Sequence, residues 1–293
     1  MTTERQTDLV DVTWLRDHEN DPNVVIVDAT THLPIPTEGP YTPISGFMSY
    51  QEAHIEGALF ADLLTAFADP DSNEPWTVPD SERFAAAAGA LGIGDGVTVV
   101  IYDQHDGYWS TRLWWQLRLE GFESATVLDG GLRAWRAAGM PVTDTVSTAA
   151  ARLFTACRKP ELIRTTGEVQ AALDDPSTIL VNVLDPATYR GDSNTYGRRG
   201  HIPGSINLPV TRIKNRETGG LRPVEELRTL FEDAGLLDTT KTVVVHCGGG
   251  VAATGVAHAM SVAGRHDVAV YDGSMTAWAG DPNLPLITGP SPR

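Results

Sequence analysis

Short runs of aliphatic and β-branched residues alternate along the chain with stretches whose apolar positions recur at helical spacing. The clearest runs are Val24-Val-Ile-Val-Asp28, Val97-Thr-Val-Val-Ile-Tyr102, Ile179–Val183, Thr242–Val245 and Val268–Tyr271. Apolar runs without polar alternation predict strands buried on both faces, and such strands belong to mostly parallel sheets covered by helices. Between them, Thr165-Thr-Gly-Glu168 has the form of a capping box opening a helix toward Leu173. A helix is expected over Pro223–Ala234, with proline in its first turn and Gly235 just past its end. Another is expected over Ala252–Ala263, stopped by Gly264.

The pattern is written twice. Val24–Asp28 corresponds to Ile179–Asn182, and His54-Ile-Glu-Gly-Ala58 to His201-Ile-Pro-Gly-Ser205. Val97–Tyr102 corresponds to Lys241–His246, and Leu128-Asp-Gly-Gly-Leu-Arg-Ala-Trp135 to Tyr271-Asp-Gly-Ser-Met-Thr-Ala-Trp278. Matched blocks in one order predict two copies of a single α/β domain, each a mostly parallel sheet with helices on both faces. The expected division is a first domain over 1–145, a linker over 146–160 with weak periodicity, and a second domain over 161–293.

Composition narrows the function. At 293 residues, 41% hydrophobic and 20% charged, the chain suits two folded domains with their own cores. Its polar start, Met1 to Gln6, argues against a signal peptide, and runs such as Val243–Val245 are too short to cross a bilayer. Two cysteines exclude a disulfide framework and a four-cysteine zinc site, so a cytoplasmic protein is expected. A net charge of −16 disfavours nucleic acid as a partner. One segment runs against that charge: Arg190, Arg198, Arg199, Arg212, Lys214 and Arg216 stand against the single acid Asp192. It is either a solvated basic loop or a place where an anion is drawn in.

Candidate chemistry concentrates in Val243-Val-Val-His-Cys-Gly-Gly-Gly-Val-Ala-Ala-Thr254. A strand delivers Cys247 to its carboxyl end, where open parallel sheets bind ligands. Gly248, Gly249 and Gly250 let the backbone curl with its N–H groups inward, Val251 and Ala252 complete the anion-cradling loop, and the N-terminus of the following helix adds positive potential. That is a cradle for a sulfur anion, including the outer sulfur of a persulfide. The plainer alternative is a buried cysteine beside a flexible turn.

With these motifs, the chain resembles the tandem rhodanese family, the thiosulfate and 3-mercaptopyruvate sulfurtransferases, over nearly its full length. The resemblance rests on the two His-Ile-x-Gly-(Ala/Ser) blocks, the Cys247 loop and the paired Asp-Gly-(Gly/Ser) blocks ending in Trp135 and Trp278. It implies sulfur transfer through a Cys247 persulfide without metal or organic cofactor. The donor would be a small anion such as thiosulfate or 3-mercaptopyruvate, and the acceptor a thiol or cyanide. The first half, which reads Asp-Gln-His-Asp-Gly-Tyr-Trp-Ser after Tyr102, would be inactive.

Three departures stand out. Gly248 and Gly249 are neutral where thiosulfate enzymes carry cations. Gly249 takes the serine position of the mercaptopyruvate enzymes. Asn182-Val-Leu184 replaces Asp-x-Arg, so a substrate-binding arginine is missing. The resemblance puts His54 at the rim of the site, and Arg190, Arg198 and Arg199 are the candidate anion-binding cations. His201 is expected to be a structural hydrogen-bonder, His246 to pack away from Cys247, Cys157 to be a free thiol, and Trp109, Trp114, Trp115 and Trp135 to be core or interface aromatics. A phosphatase would need arginine where Ala253 stands, and a P-loop would need Gly-Lys-(Ser/Thr) after the glycines. A non-catalytic binding or regulatory module remains open.

Overall fold

The structure, a computed structural model, describes residues 7–34, 41–74 and 76–293; the polar start of the chain lies outside them. The described residues form two compact units. One is built on Thr42–Lys159, the chain leading up to Pro34, and Asn215–Leu221; the other is built on Pro160–Lys214 and Arg222–Arg293.

In the first unit the elements run β1 (Leu9–Val10), α1 (Val12–His18), β2 (Val24–Asp28), β3 (Thr31–His32), β4 (Ile44–Ser45), α2 (Phe47–Glu52), β5 (Leu59–Phe60), α3 (Ser81–Ala90), β6 (Thr98–Tyr102), α4 (Tyr108–Leu119), β7 (Ala125–Leu128) and α5 (Gly131–Ala137). The main sheet has the order β1-β7-β6-β2-β5, and every pairing in it is parallel. β3 and β4 form a small antiparallel pair beside it.

The second unit runs β8 (Ile163–Arg164), α6 (Thr166–Ala171), β9 (Thr178–Asn182), α7 (Pro186–Arg190), β10 (Ile206–Asn207), α8 (Val224–Asp233), β11 (Thr242–His246), α9 (Val251–Val262), β12 (Ala269–Tyr271) and α10 (Ser274–Gly280). Its sheet, read from the other edge, is β8-β12-β11-β9-β10, again wholly parallel. The two orders are the same arrangement, so the repeat seen in the sequence is a repeat of topology.

Local chemistry sets the ends of these elements. Asp11 and Asp80 accept from the N–H of Trp14 and Arg83 at 2.7 and 2.8 Å, which satisfies donors that a helix start leaves bare. Thr165 and Glu168 form the expected capping box. Asp185 caps α7, with Pro186 at its first position. Pro223, expected inside the first turn of α8, is its cap instead, because that helix starts at Val224.

Each unit closes its core with the same device. Trp135 and Trp278 are fully buried, and their indole N–H groups donate to the carbonyls of Pro141 and Pro285 at 2.7 and 2.8 Å. A buried indole needs such a partner, and the bond fixes the chain just after α5 and α10. Residues 146–159 lie along the first unit: Phe154 is buried against Phe84, and the N–H of Cys157 donates to the Glu120 carbonyl at 2.8 Å.

Candidate active site

β11 lies between β9 and β12, with Thr242–His246 in full register against Thr178–Asn182. A central strand paired on both sides holds its carboxyl end in a fixed place, and Cys247 is the next residue. Its side chain is only 3% exposed. Gly250 then takes a left-handed conformation (φ 79°) as the cap of α9, a backbone state that glycine adopts without strain. α9 follows directly, with Val251 and Ala252 in its first turn.

The backbone at Cys247 is clamped from the start of α10. Ser274 Oγ accepts from the Cys247 N–H at 3.1 Å and donates to the Tyr271 carbonyl at 2.7 Å. The N–H of Met275 donates to the Cys247 carbonyl at 3.0 Å. Thr276 donates to the Gly248 carbonyl twice, from N–H and from Oγ1, each at 2.8 Å. Ser274 pays for this with a left-handed backbone (φ 48°), which costs a non-glycine residue roughly 1 kcal/mol or more. In the first unit the matching residue is Gly131 (φ 55°), and no hydroxyl is present there.

Gly248 is required by a second neighbour. A Cβ on it would fall 2.2 Å from Tyr196 Oη and about 3 Å from the edge of that ring. Tyr196 therefore lies directly on the loop. Burial first, and then the charge of Cys247, hold its phenol well above the ordinary tyrosine range, so the hydroxyl keeps its proton.

The other candidates occupy distinct environments. His54 is fully buried, stacked on Tyr50 with centroids 3.9 Å apart, and its two nitrogens meet the carbonyls of Tyr50 and Thr145 at 2.6 and 3.1 Å. His201 repeats that environment: it is buried, stacked on Tyr189 at 3.6 Å, with Nδ1 2.8 Å from the Tyr189 carbonyl. Both histidines also pin a later stretch of chain by paired backbone bonds, to Thr143 and Ile287.

The three arginines are engaged with neighbouring chain. Arg190 pairs with Asp192 at 2.7 Å. Arg198 donates to the carbonyls of Asp281 and Leu284 at 2.8 and 2.9 Å. Arg199 donates to the carbonyls of Gly191 and Asp192, both at 3.0 Å. Cys157 is exposed on the first unit.

Beneath the site, His246 is completely buried and faces Tyr271 at 6.5 Å between centroids. Neither of its ring nitrogens has a hydrogen-bond partner among the described residues, and burial pushes its pKa down to about 3. Asn182, paired with it across the sheet, leaves its side-chain N–H₂ without a partner as well. The first unit satisfies the equivalent pair: Tyr102 donates to the buried Asp28, which also accepts from Thr30 and Gln104.

The first unit also shows what the loop after the central strand can hold. Asp103 occupies the position of Cys247, and Gly107, left-handed like Gly250, caps the helix that follows. The Asp103 carboxylate accepts four backbone N–H bonds: from His105 and Gly107 at 2.9 and 3.0 Å on one oxygen, from Trp109 and Ser110 at 3.1 and 3.0 Å on the other. This turn, opening onto a helix N-terminus, is an anion site filled by the protein's own carboxylate.

Sequence reasoning missed Ser274, Thr276 and Tyr196. The first two were visible as differences between the matched Asp-Gly blocks, Gly131 against Ser274 and Arg133 against Thr276. Tyr196 sits in an irregular stretch with no periodicity to place it.

Comparison with known proteins agrees with this architecture. The rhodanese-like domain family matches residues 11–138 and again 165–281. A thiosulfate/3-mercaptopyruvate sulfurtransferase of Arabidopsis thaliana is 32% identical over 95% of this chain and 77% of its own length. The 3-mercaptopyruvate sulfurtransferase of Escherichia coli (strain K12) is 30% identical over 93% of this chain and 95% of its own. The crystal structure of the Escherichia coli protein SseA, described as a 3-mercaptopyruvate sulfotransferase, superposes with a TM-score of 0.80 at 29% identity, covering 92% of this chain and 99% of that one. The chain belongs to the rhodanese family: it is a tandem-domain sulfurtransferase with a rhodanese-like domain in each half.

Proposed function

We propose that Cys247 carries the transferred sulfur as a persulfide, taking it from a small anionic donor and passing it to a thiol or to cyanide. The observation that carries this reading is the Asp103 carboxylate in its ring of four N–H groups. The matching strand end of the second unit, with cysteine in place of aspartate and a turn one residue shorter before its left-handed glycine cap, suits a charged sulfur in the place of a carboxylate.

The Cys247 thiolate attacks the outer sulfur of the donor. A sulfur–sulfur bond forms, and the bond joining that sulfur to the rest of the donor breaks. The electron pair leaves with the remainder, as sulfite from thiosulfate or as pyruvate enolate from 3-mercaptopyruvate, which then takes a proton at carbon. Backbone N–H groups and the α9 N-terminus stabilise the charge gathered on sulfur. The acceptor attacks the outer sulfur, and the electron pair of the broken sulfur–sulfur bond returns to Cys247.

The neutral Gly248 and Gly249 favour 3-mercaptopyruvate, which carries one negative charge, over thiosulfate, which carries two. A cation in the site would hold the second more strongly. Among the described residues no helix is long and apolar enough to cross a membrane. A reducing compartment such as the cytoplasm suits a working group that is a free thiol.

Steady-state kinetics test the reading. The native protein is expected to give a higher kcat/KM with 3-mercaptopyruvate than with thiosulfate, Cys247→Ser to turn over neither, and Cys157→Ser to match the native protein. Turnover that survives Cys247→Ser would overturn it.

A further inference from the structure

Two side chains that the family resemblance leads one to expect near the sulfur, a serine and an arginine, are absent, because glycine and leucine stand at 249 and 184. What the structure puts beside the loop instead is a phenol. Tyr196 and Leu184 both pack against the core cluster of the second unit that contains Tyr271, Met275 and Trp278. The ring is fixed by packing, and its hydroxyl lies 2.2 Å from where a Gly248 Cβ would stand. A protonated hydroxyl fixed against the loop that carries Cys247 is a donor placed where an anion would sit.

We propose that Tyr196 is the side-chain hydrogen-bond donor of this active site and that its acceptor is the sulfur being transferred at Cys247. The inference rests on the persulfide reading given above. It gives Gly248 a reason to be glycine: any side chain there would displace the phenol. It also explains how a site without the serine and the arginine still offers a polar side chain to a developing sulfur anion. Because the phenol stays protonated, it donates without itself titrating across the working pH range. Backbone N–H groups hold the sulfur from the loop, and Tyr196 adds a donor on the side of Gly248 where a Cβ would stand.

The test is Tyr196→Phe, which keeps the ring and removes only the hydroxyl. The readout is the single-turnover rate at which sulfur appears on Cys247, followed by mass, with 3-mercaptopyruvate and with thiosulfate. A contact to the transferred sulfur is common to both donors, so the loading rate should fall about tenfold with each, with KM little changed and full loading still reached. Gly248→Ala, which pushes the hydroxyl aside while keeping the phenol, should slow loading similarly. An unchanged rate, or a loss confined to one donor or to KM, would overturn the proposal, since the hydroxyl would then be idle or would serve the donor's remainder. Absence of sulfur on Cys247 in the native protein would instead overturn the persulfide reading itself.

Discussion

The two units solve one structural problem twice and differ at the residue that ends the central strand. In the first, that residue is Asp103, and its carboxylate consumes four backbone N–H groups of the loop and helix start. In the second it is Cys247, whose backbone is held by Ser274 and Met275, while Thr276 holds the carbonyl of Gly248. The scaffolding histidines, tyrosines and tryptophans are matched almost bond for bond: His54 on Tyr50 and His201 on Tyr189, Trp135 to Pro141 and Trp278 to Pro285. The first copy, with a carboxylate built in, therefore displays the electrostatics that the proposed function assigns to the sulfur in the second. The layer beneath differs in the opposite sense. Asp28 and Tyr102 satisfy each other, while Asn182 and His246 retain unpartnered polar atoms directly under the reactive loop. Polar groups are satisfied around the first site and left partly unsatisfied beneath the second, the pattern expected if the second is the working one.

The largest effect expected from this contrast is on stability. Asp103→Ala leaves four N–H groups without their acceptor and should cost about 3 kcal/mol or more, read as a shift in the denaturant midpoint. Cys247→Ala removes one small buried side chain and should cost about 1 kcal/mol. Equal costs would mean that the carboxylate cradle has no special role in the first unit.

Next comes acid sensitivity. The unfolded His246 titrates near 6.5 and the folded one near 3, so between those values the unfolded chain binds the extra proton. Stability should then fall as pH drops below about 6.5, by up to about 1.4 kcal/mol per pH unit from this group, and level off below about 3. His201, lowered mainly by burial, acts in the same direction. His246→Asn should flatten the dependence; a slope unchanged in that variant would place the acid sensitivity elsewhere.

The smallest effect concerns the basic segment. Arg198 holds two carbonyls of the turn after α10, so Arg198→Ala should lower stability by about 1 kcal/mol and leave the donor KM unaltered. A KM that rises, and does so more at low salt, would show instead that the segment draws the anion in.

Much of this was legible in the sequence because the strands carry it locally. The runs at 24–28, 98–102, 178–182 and 242–246 are apolar on both faces, and repetition of the blocks fixed the topology. Cys247 and its glycines were legible because a strand, a turn and a helix must meet there. What could not be read was which side chains close over the loop. Tyr196 arrives from an irregular stretch 51 positions upstream, and Ser274 from the next strand's end. Nor could the sequence show that Arg198 and Arg199 spend their donors on backbone carbonyls, since charge alone does not distinguish a brace from an anion site.

The central claim, that the second copy holds a transferable sulfur where the first holds its own carboxylate, is tested most directly by peptide mass mapping. Native protein treated with 3-mercaptopyruvate and freed of excess donor should carry one added sulfur on the peptide containing Cys247, none on that containing Cys157, and should lose it on adding cyanide. Sulfur on Cys157 alone, or on neither cysteine with any anionic donor, would contradict the account.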